Sequence, residues 1–169
     1  IHIKYTGIQS SPAVEEYIYQ KIGGLSKLVK DIERGTPVVS DAPHVWVEVA
    51  KTTRHHQKGK VFYAECQMGL PGKSIRAEST QYDIYIAIDE VKDEMQRLMK
   101  QYKEKQIAKD LHEELLTIEE WNNKNILVAF KKIMDKEKIR MNVLYKILTG
   151  QAFGLPLTES LEILGREKT

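Results

Sequence analysis

Three short runs of alternating apolar and polar residues, at 44–51, 61–70 and 74–78, give way abruptly to a stripe of helical period. This change of period constrains the fold more than any other feature of the chain. Val45, Val47 and Val49 share one side of the first run, Phe62, Ala64, Cys66 and Met68 one side of the second, and Ile75 and Ala77 one side of the third. Glu48, Glu65, Arg76 and Glu78 fall on the opposite sides. The runs therefore predict a sheet with one greasy face and one wet, rather acidic face. A greasy face needs a cover. Ile84, Ile88, Val91, Met95, Leu98 and Tyr102, stepping alternately by four and three, mark the side of a long helix that would supply it. Thr80 and Asp83 are its candidate caps, and Leu70-Pro71-Gly72-Lys73 has the residue chemistry of a type II turn.

Upstream, residues 1–8 alternate and read as a strand ending at Gly7. Ser11-Pro12 then opens a helix whose stripe of Val14, Tyr17, Ile18, Ile22, Leu25 and Leu28 runs to about Val29, across a destabilising Gly23-Gly24 pair. Residues 31–43, with Gly35, Pro37 and Pro43, read as a loop. Downstream of residue 106 no strand pattern remains. Thr117-Ile118-Glu119-Glu120 resembles a capping box that opens a helix containing Trp121, Ile126, Leu127, Phe130, Ile133 and Met134. A further run over 139–148 stops at Thr149-Gly150, and Leu157, Leu161 and Leu164 form a last short helix before Gly165. The fold class expected is α+β: a β-α-β-β-β-α domain, a four-stranded sheet with two helices on one face, followed by a small all-α domain. Its boundaries are 1–106, a helical linker at 107–116, and 117–169.

Charge is informative through its distribution. Twenty-six basic against 24 acidic residues give a net charge of only +2. Residues 51–60, however, read K-T-T-R-H-H-Q-K-G-K, with four fixed cations, two histidines and no acid. Arg97, Lys100, Lys103 and Lys105 form a second cluster, diluted only by Glu104. Such clusters are the footprint of a polyanion. Nucleic acid suits them better than a membrane, because no basic face is paired with exposed Trp, Phe or Leu. A single cysteine excludes an internal disulfide and a multi-thiolate metal site, and fits a reducing compartment. With no signal-peptide core at the first residue and no long apolar run, a cytoplasmic protein is expected.

Lys21-Ile-Gly-Gly-Leu-Ser-Lys27, Arg76-Ala-Glu78, Asp83-Ile-Tyr-Ile-Ala-Ile-Asp89 and Arg97-Leu-Met-Lys-Gln-Tyr-Lys-Glu-Lys105 follow one another in the order and spacing of a known pattern. Over residues 1–106 the chain resembles the ribosome hibernation promoting factor family, also called ribosome-associated inhibitor or sigma-54 modulation proteins. The resemblance implies a factor that occupies the mRNA and tRNA channel of the small ribosomal subunit, contacts rRNA around the A and P sites, and blocks translation by steric occlusion. It carries a basic role onto Lys21, Lys27, Arg97, Lys103 and Lys105, and onto Arg76. The family's basic position in the first helix is Gly24 here. The long members' β-rich dimerisation domain has no counterpart in this sequence. Instead Val143-Leu-Tyr-Lys-Ile-Leu-Thr-Gly150, Gly154-Leu-Pro-Leu157 and Glu162-Ile-Leu-Gly-Arg-Glu167 resemble the anticodon-binding helical subdomain of glutamyl-tRNA synthetases. The synthetases' nucleotide-binding signatures are absent, so aminoacylation is excluded.

The clusters themselves add Lys51, Arg54, Lys58, Lys60 and Lys100 as phosphate contacts, with His55 and His56 placed to stack or hydrogen-bond. His44, His55, His56 and Cys66 lack metal-ligand spacing, and a polar loop is the better reading of the histidine pair. Cys66 lies on the apolar side of its strand, as a buried inert thiol would. Asp89, Glu90, Asp93 and Glu94 read as solvated or ion-paired carboxylates on a helix. Trp121 and Tyr145, at helical spacing with Leu127 and Leu148, belong to the tail's core. No enzyme, cofactor, metal or small-molecule substrate is expected. The helical tail would add ribosomal or mRNA contacts. Two other readings stay open: a general RNA-binding module, and a protein-interaction adaptor acting through the tail.

Overall fold

In the computed structural model, which describes residues 1–33, 44–52 and 61–168, the chain forms two compact units, Ile1–Gln101 and Tyr102–Thr169. The first contains β1 (His2–Thr6), α1 (Pro12–Gly23), α2 (Ser26–Glu33), β2 (Val45–Thr52), β3 (Val61–Leu70), β4 (Lys73–Gln81) and the first half of α3 (Ile84–Leu116). The sheet order is β1-β2-β3-β4. β1 runs parallel to β2, a pairing that needs a crossover connection, and α1 and α2 lie in that connection. The β2–β3 and β3–β4 pairs are antiparallel. Pro71 and Gly72 turn the chain between β3 and β4, with Gly72 at φ +70°. Because proline cannot adopt positive φ, a turn with its only left-handed residue at the third position is what this sequence allows.

The greasy and wet faces are as the alternation predicts. Val47, Val49, Ala64, Cys66, Met68, Ile75 and Ala77 are buried, and so are Ile18, Ile22, Ile84, Ala87, Ile88, Val91, Met95 and Met99 from the helices. Asp83 caps α3, its Oδ1 accepting from the Tyr85 and Ile86 amides at 2.7 and 3.4 Å. The stripe passes through Met99, whereas Leu98 is only half-buried.

Three local expectations are corrected. The single helix expected from Pro12 to about Val29 is two helices. Adjacent Gly23 and Gly24 end the first: the Gly24 amide bonds Gln20 O at 3.2 Å, and Leu25, 2% exposed, turns into the core before the chain restarts at Ser26. The last turn of α2 takes in residues 31–33, which the sequence alone assigns to a loop. Thr117 opens no helix. Its hydroxyl donates to Glu114 O at 2.7 Å and closes α3, while α4 (Asn123–Glu137) begins after Asn122, whose side chain accepts from the Asn125 amide at 2.9 Å.

The second unit is built from the last turns of α3 with α4, α5 (Met141–Thr149) and α6 (Leu157–Leu164). Ile107, Leu111 and Leu115, in the stretch read as a linker, pack with Ile118, Ile126, Phe130, Ile133, Leu144, Leu157 and Leu161 in one core. The buried stripe of α3 breaks step where the units divide: Tyr102 to Ile107 is five residues, not three or four. Trp121 packs against this core and donates from Nε1 to Leu161 O at 3.0 Å; Tyr145 packs there too. Gly150, at φ +76°, ends α5. At the end of α4 the same left-handed position is held by Lys138, φ 52°, the one non-glycine residue with positive φ among the described residues. A side chain there costs about 1–2 kcal/mol that glycine avoids. Among the described residues no helix is long and apolar enough to cross a membrane.

Truncating Phe130, fully buried at the centre of the second core, should cost about 3–5 kcal/mol, read as a lower urea midpoint for Phe130→Ala. Burial first, and Glu65 second, push the Cys66 thiol up to about 12. It should resist a thiol reagent at pH 8 in the folded protein and react only on unfolding.

Candidate nucleic-acid interface

The basic residues singled out by sequence fall into three groups. Arg54, His55, His56, Lys58 and Lys60 lie outside the described residues. Lys21, Arg76 and Arg97 are each held by carboxylates of the chain itself. Lys27 on α2, Lys51 at the end of β2, and Lys100 and Lys105 on α3 are exposed, with no acidic partner among the described residues. Lys103 on α3 is half-buried.

Lys21 belongs to a clamp between α1 and α3. Its Nζ lies 2.7 Å from Asp89 Oδ1 and 4.9 Å from the centre of the Tyr17 ring. The Tyr17 hydroxyl donates to Asp89 Oδ2 at 2.8 Å, and its ring meets Tyr85 edge-on at 4.8 Å. The hydrogen bond with Lys21 holds the Asp89 carboxyl below its ordinary value, and its counterpart raises the Lys21 ammonium. Arg97 is locked on its own helix by Glu94 three residues earlier, with Nε to Oε2 at 2.7 Å. That pairing is legible in the spacing. The partner of Lys21 is not, because Asp89 arrives from α3; Arg76 has Glu78 two residues along its own strand and Glu65 from β3.

Arg76 sits on the open face of the sheet, in a row the strand register dictates. Glu48, Glu65 and Glu78 face one another directly across β2, β3 and β4. Like charges opposed in this way repel, so cations must sit among them. Arg76 Nε lies 2.8 Å from Glu65 and its Nη2 2.9 Å from Glu78; Lys4 lies 3.2 Å from Glu48. Thr6 donates to Glu48 at 2.7 Å, and this bond, then the one from Lys4, lowers the Glu48 carboxyl. Tyr63 donates to Glu65 and Glu78 at 2.5 and 3.0 Å, and burial reinforced by the Glu65 bond pushes its phenol up to about 12. The charge of Arg76 is thus consumed at home. At one end of this face the rings of His2, His44 and Trp46 lie together, with centroids 5.6–6.2 Å apart and Trp46 48% exposed. Among the described residues no three His, Cys, Asp or Glu side chains gather as a metal ion would require.

Fold and surface together define a β-α-α-β-β-β-α unit that displays exposed lysines on α2, at the end of β2 and on α3. The chain belongs to the Sigma 54 modulation protein / S30EA ribosomal protein family, whose sequence profile matches residues 1–107. The family is not one of enzymes. Residues 79–169 match the anticodon binding domain profile, so the two matches overlap along α3. A ribosome hibernation promotion factor from Deinococcus radiodurans is 28% identical over 96 residues, covering 57% of this chain and 44% of the relative. The chain therefore spans less than half the length of that relative. Among solved structures, the N-terminal domain of Thermus thermophilus Protein Y is 24% identical, covering 60% of this chain and 99% of that one, with a TM-score of 0.40. A ribosomal subunit interface protein from Coxiella burnetii is 21% identical, covering 61% and 98%, with a TM-score of 0.39.

The clamp sets a pH window. A carboxyl lowered on folding contributes stability above its unfolded value, and the contribution is lost as pH falls through its folded value. Asp89→Asn should therefore lower Tm at neutral pH, and the gap from wild type should close below the ordinary value of 3.8. A gap that does not narrow at all as the pH falls below 3.8 would show that the charge is not responsible. Raising the pH should not weaken the clamp until the Lys21 ammonium, raised from 10.5, begins to lose its proton.

Proposed function

We propose that this protein is a ribosome hibernation factor that binds the small ribosomal subunit in the mRNA/tRNA channel near the decoding centre and blocks translation by occupying it. The observation that carries the reading is the sorting of cations in a chain of this family. Lys27, Lys51 and Lys100 of the first unit keep their charge for an outside partner, while Lys21 and Arg76 spend theirs on Asp89, Glu65 and Glu78. Family membership and the name of the Deinococcus relative support a ribosomal partner. Phosphate neutralisation with counterion release supplies affinity, and the shape of folded rRNA around the A and P sites supplies selectivity. Lys105 and Lys103 on α3, and Arg54, His55, His56, Lys58 and Lys60, extend the contact surface. The helical unit adds ribosomal or mRNA contacts, and the site of action is the cytoplasm.

Co-sedimentation with purified small subunits tests this. About six phosphate contacts should lose roughly 10³ in affinity between 50 and 200 mM salt. The charge reversals Lys27→Glu, Lys51→Glu and Lys100→Glu together should weaken binding by at least about tenfold and flatten the salt dependence. Arg76→Gln, which removes a cation already neutralised, should change binding by less than about twofold. The reverse ranking would overturn the assignment.

A further inference from the structure

We propose that the free edge of β4 docks a second copy of this chain, the two four-stranded sheets joining edge to edge about a two-fold axis. β4 ends the sheet: it is nine residues long, pairs with β3 in an unbroken register, and has no strand on its other side among the described residues. An edge is ordinarily protected by shortness, by proline or by a bulge, and β4 has none of these. The opposite edge, β1, has only five residues. A strand like β4 offers its outer N–H and C=O groups to any extended chain that comes beside it.

Charge selects both the occupant and the register. On the open face, Lys4, Glu48, Glu65 and Glu78 stand in one line across the four strands. A cation closes that line at β1. At the free edge it stops on Glu78, which shares a single guanidinium with Glu65. Nη1 of that guanidinium has no partner among the described residues. Two copies of β4 running antiparallel about an axis at Ala77 set Arg76 opposite Glu78 twice over, so each line of carboxylates ends on a cation from the other copy. Sliding one copy by two residues, the smallest step that keeps like faces together, opposes Arg76 to Arg76 or Glu78 to Glu78 and is disfavoured.

The helix side agrees with the same register. It brings Lys73, which has no acidic partner among the described residues, opposite Gln81. Gln81 Nε2 donates to Glu90 of α3 at 2.9 Å, so the ammonium of one copy arrives beside a carboxylate of the other. Ala77 opposes itself and Ser74 opposes Thr80, so no bulky side chains collide at the seam. Ile86, four residues before Glu90 on the same side of α3 and 52% exposed, is an apolar residue for the copy to cover. A polyanion would meet Glu78 and Glu90 here. A strand whose charges match only its own reverse calls for itself. This goes beyond the reading above and does not depend on it.

Sedimentation velocity of the full chain over a concentration series, without ribosomes, tests it. Wild type should pass from monomer to dimer as concentration rises. Glu78→Arg opposes cation to cation at both symmetry-related contacts and should weaken the dimer at least about tenfold. It leaves the Arg76–Glu65 pair in place, so its Tm should stay near that of wild type. Adding Arg76→Glu to Glu78→Arg restores opposite charges at both contacts and should return the dimer to within about threefold of wild type, a rescue that a damaged fold cannot produce. Lys73→Glu, which touches neither residue, should weaken the dimer about threefold through the second contact. A wild-type chain that stays monomeric up to about 1 mM would overturn the proposal. So would a dimer that Glu78→Arg and Lys73→Glu leave unchanged, which would move self-association to another surface.

Discussion

The structure depends on the burial of one side of α3. Ile84, Ala87, Ile88, Val91, Met95 and Met99 are the residues whose removal from water makes a one-sided sheet tolerable in solution. At about 1.5–3 kcal/mol for each large side chain fully covered, this stripe contributes more than all the surface ion pairs are worth. Farther along, Ile107, Leu111 and Leu115 take part in a second core. A helix that serves two cores from one unbroken backbone leaves its remaining positions to water, and Lys100 and Lys105 are among them.

Much of this fold was legible because the signals were periodic. Period-two runs bounded by Pro-Gly or glycine located the strands, and Gly150 and Gly165 marked two helix ends correctly. What escaped was local chemistry that competes with period. Leu25 continued the stripe of α1 in number but not in space, because two glycines let the helix stop there. Thr117 matched a capping pattern, yet its hydroxyl turned back to Glu114 and ended the preceding helix. Asn122, with no distinctive neighbours, turned out to be the cap.

The site was legible in kind and not in detail. A list of lysines and arginines gives formal charge, whereas an outside partner meets only the charge left after internal pairing. Arg97 could have been discounted from Glu94 alone, since three residues along a helix is contact distance. Glu78, two residues from Arg76 on the same strand face, hinted at one partner, but Asp89 beside Lys21 and Glu65 beside Arg76 needed the tertiary structure. The same principle holds on α4, whose unit has ten basic and ten acidic residues after position 106: pairing with Glu114 and Asp110 removes Lys132 and Lys136 from the charge an outside partner would meet.

The two tryptophans fall one to each compact unit, in unlike surroundings. Trp46 is half open to water beside two imidazoles, and Trp121 is tucked against a helical core with its indole N–H bonded to a carbonyl. The molecule thus carries its own pair of optical labels. Replacing either indole by phenylalanine would leave emission from a single unit, so each unit's melting could be followed separately without attaching a dye.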